Sequence, residues 1–108
     1  MVLEHALIVI RPGTSDAFEA ALAEASQVIG ASTGFVSLRL HRGIETTERY
    51  LLLVEWESLD DHLVGFRQSD RFTSWRSLIG PYFESPPDVV HYELPPAVAQ
   101  AGPVAGPI

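Results

Sequence analysis

A chain of 108 residues and 11.8 kDa has room for a single domain. With 46 % hydrophobic and 19 % charged residues it can build a core and is not composed like a disordered chain. Fourteen acidic residues against seven basic ones give a formal charge of −7, which argues against a nucleic-acid binder and against docking on an anionic membrane. All seven basic residues are Arg, so no Lys is present to form a Schiff base or complete a Walker-type phosphate loop. The lack of Cys excludes disulfides, thiolate metal sites, iron–sulfur clusters and Cys nucleophiles. Glu4 and His5 stand where an export signal would begin with basic and then apolar residues, so no such signal is expected. Aliphatic runs such as Ala6 to Ile10 fall far short of the ~20 residues of a membrane span. A cytoplasmic globular domain is the expectation.

The first element is a strand from Val2 to Ile10, ended by Arg11-Pro12-Gly13. Thr14 or Ser15 then caps a helix whose Phe18, Ala21, Leu22, Ala25, Val28 and Ile29 recur at three- and four-residue spacing. Gly30 and Ser32-Thr33-Gly34 end it. Phe35 to His41 alternates as a second strand, and Arg49 to Glu57 is a third, joined to the second by the polar turn Arg42 to Thr47. Ser58 caps a second helical region with Leu59, His62, Leu63 and Phe66 on its inner face. A break at Gln68-Ser69 restarts the helix, Phe72, Trp75, Arg76 and Ile79 share one side, and Gly80-Pro81 stops it. Val89 to Leu94 is the last strand, and residues 95–108 form a tail of Pro, Gly and Ala with no charge.

The order strand, helix, strand, strand, helix, strand is that of an α+β, ferredoxin-like split βαβ (βαββαβ) fold: an antiparallel sheet with helices on one face. Strands one and three, Ala6-Leu7-Ile8-Val9-Ile10 and Tyr50-Leu51-Leu52-Leu53-Val54, are apolar on both faces, yet two helices cover only one. A homodimer with sheet packed on sheet is the expected cover for the other; the alternative is that the tail folds over it.

Among the four His, none has the spacing of a helical metal motif. Pairing of the last strand with the first would bring His5 and His91 together near Glu55 of the third strand, but surface or satisfied-core histidines are the preferred reading. His41 is expected at the exposed hairpin end. His62 lies on the apolar face of its helix, where a group titrating near neutrality suits a general base; its structural alternative is a hydrogen-bonded core histidine. Arg76 would hold an anionic oxygen, or simply extend past Trp75 to solvent. Trp56 would wall a flat ligand or fill core. No G-x-S-x-G elbow and no G-x-G-x-x-G occurs, and Asp60-Asp61 reads as helix N-terminal charge.

The run Val54-Glu55-Trp56-Glu57-Ser58-Leu59-Asp60-Asp61-His62, with Ser69-Asp70-Arg71-Phe72 after it, resembles the antibiotic biosynthesis monooxygenase domain. Arg11-Pro12-Gly13 and Val90-His91-Tyr92-Glu93 fit as well, and the resemblance spans about residues 3–94. It implies a dimeric α+β barrel with a ligand cavity between sheet and helices. It also implies cofactor-independent oxidation of an aromatic phenol or hydroquinone by O2. By that resemblance Trp56 is a pocket Trp, His62 replaces a hydroxylated ring residue, Arg76 matches a pocket Arg, and Leu52 stands where a pocket Asn is usual. A haem-degrading branch uses an Asn, a Trp and an axial His; the matching positions are His5, Phe66 and Arg76, and Arg does not ligate iron. The expectation is therefore a monooxygenase without cofactor or metal. His62 and Arg76 are catalytic, and His5, Leu52, Trp56, Phe66, Phe72 and Trp75 line the substrate pocket. The alternative is a non-catalytic binding module on the same fold.

Overall fold

The computed structural model describes residues 1–93, so the expected tail and Leu94 lie outside the described residues. The elements are β1 (Val2–Val9), α1 (Ser15–Ile29), β2 (Phe35–Arg42), β3 (Arg49–Trp56), a π-helical segment Asp61–Phe66, α2 (Asp70–Ile79), a 3-10 turn Gly80–Tyr82 and β4 (Asp88–Glu93). The four strands form one antiparallel sheet in the order β2-β3-β1-β4, with the helices on one face: the ferredoxin-like α+β arrangement. Among the described residues no helix is long and apolar enough to cross a membrane.

Side chains alternate between the two faces of each strand, and burial follows that period. Glu4, Ala6 and Ile8 of β1, with Tyr50, Leu52, Val54 and Trp56 of β3, point beneath the helices and are buried. Phe18, Leu22, Ala25 and Ile29 of α1 and Trp75 and Ile79 of α2 close the core from above. On the opposite face Leu7, Val90 and Tyr92 are 38 %, 43 % and 53 % exposed, and Leu51 and Leu53 are half-buried. Both strands are thus apolar on both faces, as their sequences require.

Helix α1 departs from expectation at its start. Thr14 occupies the cap position, but its hydroxyl donates to the Arg11 carbonyl at 2.6 Å and makes no bond to the helix. Ser58 does cap: its Oγ accepts the Asp61 N–H at 3.1 Å and donates to Asp61 Oδ2 at 2.9 Å. The same corner is held by Gly34, whose carbonyl accepts the Glu57 N–H at 2.8 Å. Gly34 has φ +81°, and a Cβ there would lie 2.1 Å from Asp61 Oδ2, so this crossing needs glycine.

The segment after that corner is expected to be α-helical but is wound as a π-helix, closed by the Arg67 N–H to His62 C=O bond at 3.0 Å. The wider turn keeps His62 and Phe66 inside and rotates Leu59, expected on the inner face, out to 41 % exposure. It also carries Arg67 to the position one turn beyond His62.

Candidate active site

Between the sheet and the helices lies a cavity of about 420 Å³, the size of small-molecule sites. Ala6, Ile8, Leu52 and Val89 form its floor, and Phe66, Phe72, Trp75 and Ile79 its roof. Four polar residues reach it: Glu4, His62, Arg67 and Arg76.

Glu4 sits in mid-strand on the covered face and is 7 % exposed. The indole N–H of Trp56 donates to its Oε1 at 3.0 Å, and His62 Nε2 lies 3.2 Å from the same oxygen. The other ring nitrogen of His62, Nδ1, is 2.8 Å from His91 Nε2. A neutral imidazole carries one N–H, so His62 holds it either on Nε2, facing Glu4, with Nδ1 accepting from His91, or on Nδ1, donating to His91. Trp56 does not line the cavity; it stacks behind His62 at 5.2 Å and 15°. Glu4 Oε2 has no hydrogen-bond partner among the described residues, and Glu4 lines the cavity.

Burial sets the protonation of this group. It raises the Glu4 carboxyl, against the lowering effects of the Trp56 hydrogen bond and the Arg67 charge. It lowers His62 to about 4, with Arg67 and His91 adding to the fall. His91 is lowered by burial and by Arg67. Both imidazoles are therefore neutral at pH 7, and a proton entering the Glu4–His62 pair is taken up by the pair as a unit.

The expected residues fall into three groups. Leu52, His62, Phe66, Phe72, Trp75 and Arg76 all line the cavity, and Trp56 supports it from behind. His5 does not: it points from the opposite face of the sheet and meets the edge of Tyr92 at 5.7 Å. The register is the reason, since His91 is opposite Glu4 and His5 is opposite Val90. The His5–His91–Glu55 set, the less favoured reading of these histidines, does not form: Glu4, His62 and His91 meet instead, and Glu55 accepts from Ser37 on the open face at 3.0 Å. His62 joins the other two through opposite ring nitrogens, so the three do not converge on a point. Among the described residues no group of three His, Cys, Asp or Glu is spaced to hold a metal ion.

Glu4 and Arg67 were not candidates in the sequence. A carboxylate between Leu3 and His5 signals nothing until the β1–β4 register sets it against His91. Arg67 lies five residues after His62, a spacing that α-helical periodicity sends elsewhere but π closure brings onto the same side. Its charge acts on Glu4, His62 and His91 alike, whereas Arg76 stands with its Cζ 5.8 Å from the Phe72 ring centroid.

The antibiotic biosynthesis monooxygenase family matches residues 1–78. The uncharacterized protein YczJ of Bacillus subtilis (strain 168) is 38 % identical over 93 residues, which are 86 % of this chain and 98 % of that one. A crystal structure from Bordetella bronchiseptica, provisionally named an antibiotic biosynthesis monooxygenase, is 42 % identical with a TM-score of 0.84, covering 86 % of this chain and 95 % of its own. A point mutant of SnoaB, a cofactor-independent oxygenase from Streptomyces nogalater, shares the fold at 15 % identity and a TM-score of 0.74, over 86 % and 91 % of the two chains.

Proposed function

The chain belongs to the antibiotic biosynthesis monooxygenase family, and from that premise we propose that it oxidises a small aromatic phenol or hydroquinone with O2 and no cofactor. The observation that carries this reading is the buried Glu4–His62 pair at the wall of an apolar cavity of about 420 Å³. Such a pair accepts a proton where the substrate ring is kept from water. SnoaB, which has the same fold, is a cofactor-independent oxygenase.

The substrate hydroxyl gives its proton to Glu4 Oε2, the oxygen without a partner among the described residues, while Trp56 and His62 hold the other oxygen in place. With its N–H on Nδ1, His62 takes the proton at Nε2 and gives the Nδ1 proton to Nε2 of the half-buried His91. Arg67 stabilises the phenolate. One electron passes from the phenolate to O2, and the ring radical and superoxide combine into a C–O bond. The peroxide takes a proton back and loses water as the ring C–H proton leaves, giving a quinone carbonyl. One phenol and one O2 become one quinone and one H2O, and the substrate supplies all four electrons.

The same reading makes the protein a homodimer, with the open faces bearing Leu7, Val90 and Tyr92 packed against each other.

The test is oxygen uptake by metal-free protein with a panel of hydroquinones and anthrone-like phenols, less the spontaneous rate. Uptake should exceed background, place one 18O atom from 18O2 in the quinone, and fall about 100-fold or more in Glu4→Gln. An absence of uptake above background across the panel overturns the oxygenase, and uptake untouched by Glu4→Gln removes Glu4 from it.

A further inference from the structure

Two arginines, both exposed, line the cavity, and the reaction proposed above uses one. Arg67 acts on the Glu4–His62 end, where the hydroxyl reacts. Arg76 comes from α2 and lies against Phe72. Neither makes a side-chain hydrogen bond or ion pair with another described residue, in contrast to Arg42, which is paired with Glu19. Of the chain's fourteen acidic residues only Glu4 lines the cavity, so thirteen lie off its walls. A protein of formal charge −7 thus keeps a cavity in which cations outnumber carboxylates. Apolar walls concentrate such a field and draw anions in.

We infer that the ligand of this cavity is an aromatic carboxylate, its ring against Phe72 and Trp75 and its carboxylate on Arg76. The planar fork of a guanidinium matches a carboxylate with two parallel N–H bonds, and Arg76, exposed at the cavity mouth beside Phe72, has no other side-chain partner among the described residues to occupy that fork. The inference rests on the oxygenase reading only for the hydroxyl at the other end; the carboxylate is read from Arg76 and the charge balance. On both readings together the substrate is a carboxylated phenol or hydroquinone.

The experiment uses redox-inert probes, so that binding is measured without turnover. 2-Naphthoate and its neutral isostere 2-naphthamide are titrated against the full-length protein by calorimetry at neutral pH. Naphthoate should bind at least about tenfold more tightly than naphthamide, the margin of a charge-assisted hydrogen bond. Arg76→Gln should erase that margin while leaving naphthamide within about twofold, and Arg76→Lys should restore part of it. Arg71→Gln, which removes an exposed charge from α2 away from the cavity, should leave the margin intact. Equal affinity for the two probes, binding of neither, or equal losses from Arg76→Gln and Arg71→Gln overturns the inference. Turnover of neutral hydroquinones without naphthoate discrimination would leave the oxygenase standing alone. Discrimination without turnover of any phenol would leave the anion site standing alone.

Discussion

The two faces of this sheet are built from the same strands and differ in what they bury. Beneath the helices β1 contributes Glu4, Ala6 and Ile8, and on the open side it contributes Leu3, His5 and Leu7. The covered face holds one acid among buried apolar side chains, while the open face mixes Leu, Val and Tyr with His5, Arg39, His41, Glu55 and Asp88. Glu55, a carboxylate on the open side, needs only Ser37 and solvent; Glu4 needs Trp56 and His62. A buried acid costs stability unless every contact is made, so a fold that keeps one in its core is holding it for another purpose. An apolar face left open calls for a partner.

The largest effect that separates the faces is expected from Trp56→Ala. It empties a fully buried site and also removes the donor to Glu4 and the stack behind His62. A loss of about 3–5 kcal/mol is expected. Leu53→Ala, one face over and half-buried, should cost no more than about 2 kcal/mol at concentrations where the protein is a monomer. Urea denaturation of both variants checks this. Equal losses would mean that the open face is as tightly packed as the core.

Much of this division was legible in the sequence. The runs at Ala6 to Ile10 and Tyr50 to Val54 announce two apolar faces, and the order of elements follows from periodicity and turn residues. The site was half legible. His62 stood out because a titratable ring falls among Leu and Phe, whereas Glu4 did not, because its face depends on register. Placing His91 opposite His5 rather than Glu4 is an error of one residue, and in a sheet that exchanges the faces. Arg67 was hidden differently: α-helical spacing is the wrong ruler for a π-helical segment.

Acid should act on the covered face first. The folded state holds His62 at about 4 against an ordinary 6.5, so it binds fewer protons than the unfolded chain. The stability that neutral His62 contributes is complete above pH 6.5 and is lost as pH falls through 4. That loss approaches about 3 kcal/mol, and His91, lowered for the same reason, adds to it. Glu4 works the other way: its raised carboxyl takes a proton more readily folded than unfolded, which offsets part of the loss. Glu4→Gln removes the offset, so its stability should fall more steeply from pH 6.5 to pH 4 than that of the wild type. Denaturation midpoints across that range would test the sign, and a shallower fall would place the excess proton elsewhere. On the open face Leu7→Arg should leave the chain folded, within about 0.5 kcal/mol as a monomer, and halve the mass seen by sedimentation velocity. An unchanged mass would move the interface away from this face.

The smallest effect expected is at the corner that delivers His62 to the covered face. Ser58 Oγ satisfies the Asp61 N–H and donates to the Asp61 carboxylate. Ser58→Ala deletes both bonds at an exposed position where water partly replaces them, so about 1 kcal/mol of stability should be lost. For a domain of this size that lowers Tm by about 4–8 °C. Thr14→Ala is the matching control: its hydroxyl serves the Arg11 carbonyl and caps nothing, so a smaller drop is expected. The comparison has a second reading in oxygen uptake. Asp61 opens the π-helical segment and His62 follows it directly, so loosening the Ser58 corner reaches the Glu4–His62 contact. Thr14 precedes α1, whose last residue, Ile29, is the only part of it on the cavity wall. Ser58→Ala should therefore slow turnover by a few-fold, on the order of the same 1 kcal/mol, and Thr14→Ala should not. If both variants turn over at the wild-type rate, the π-helical segment is held by its own bonds and by Gly34, and the Ser58 cap serves stability alone.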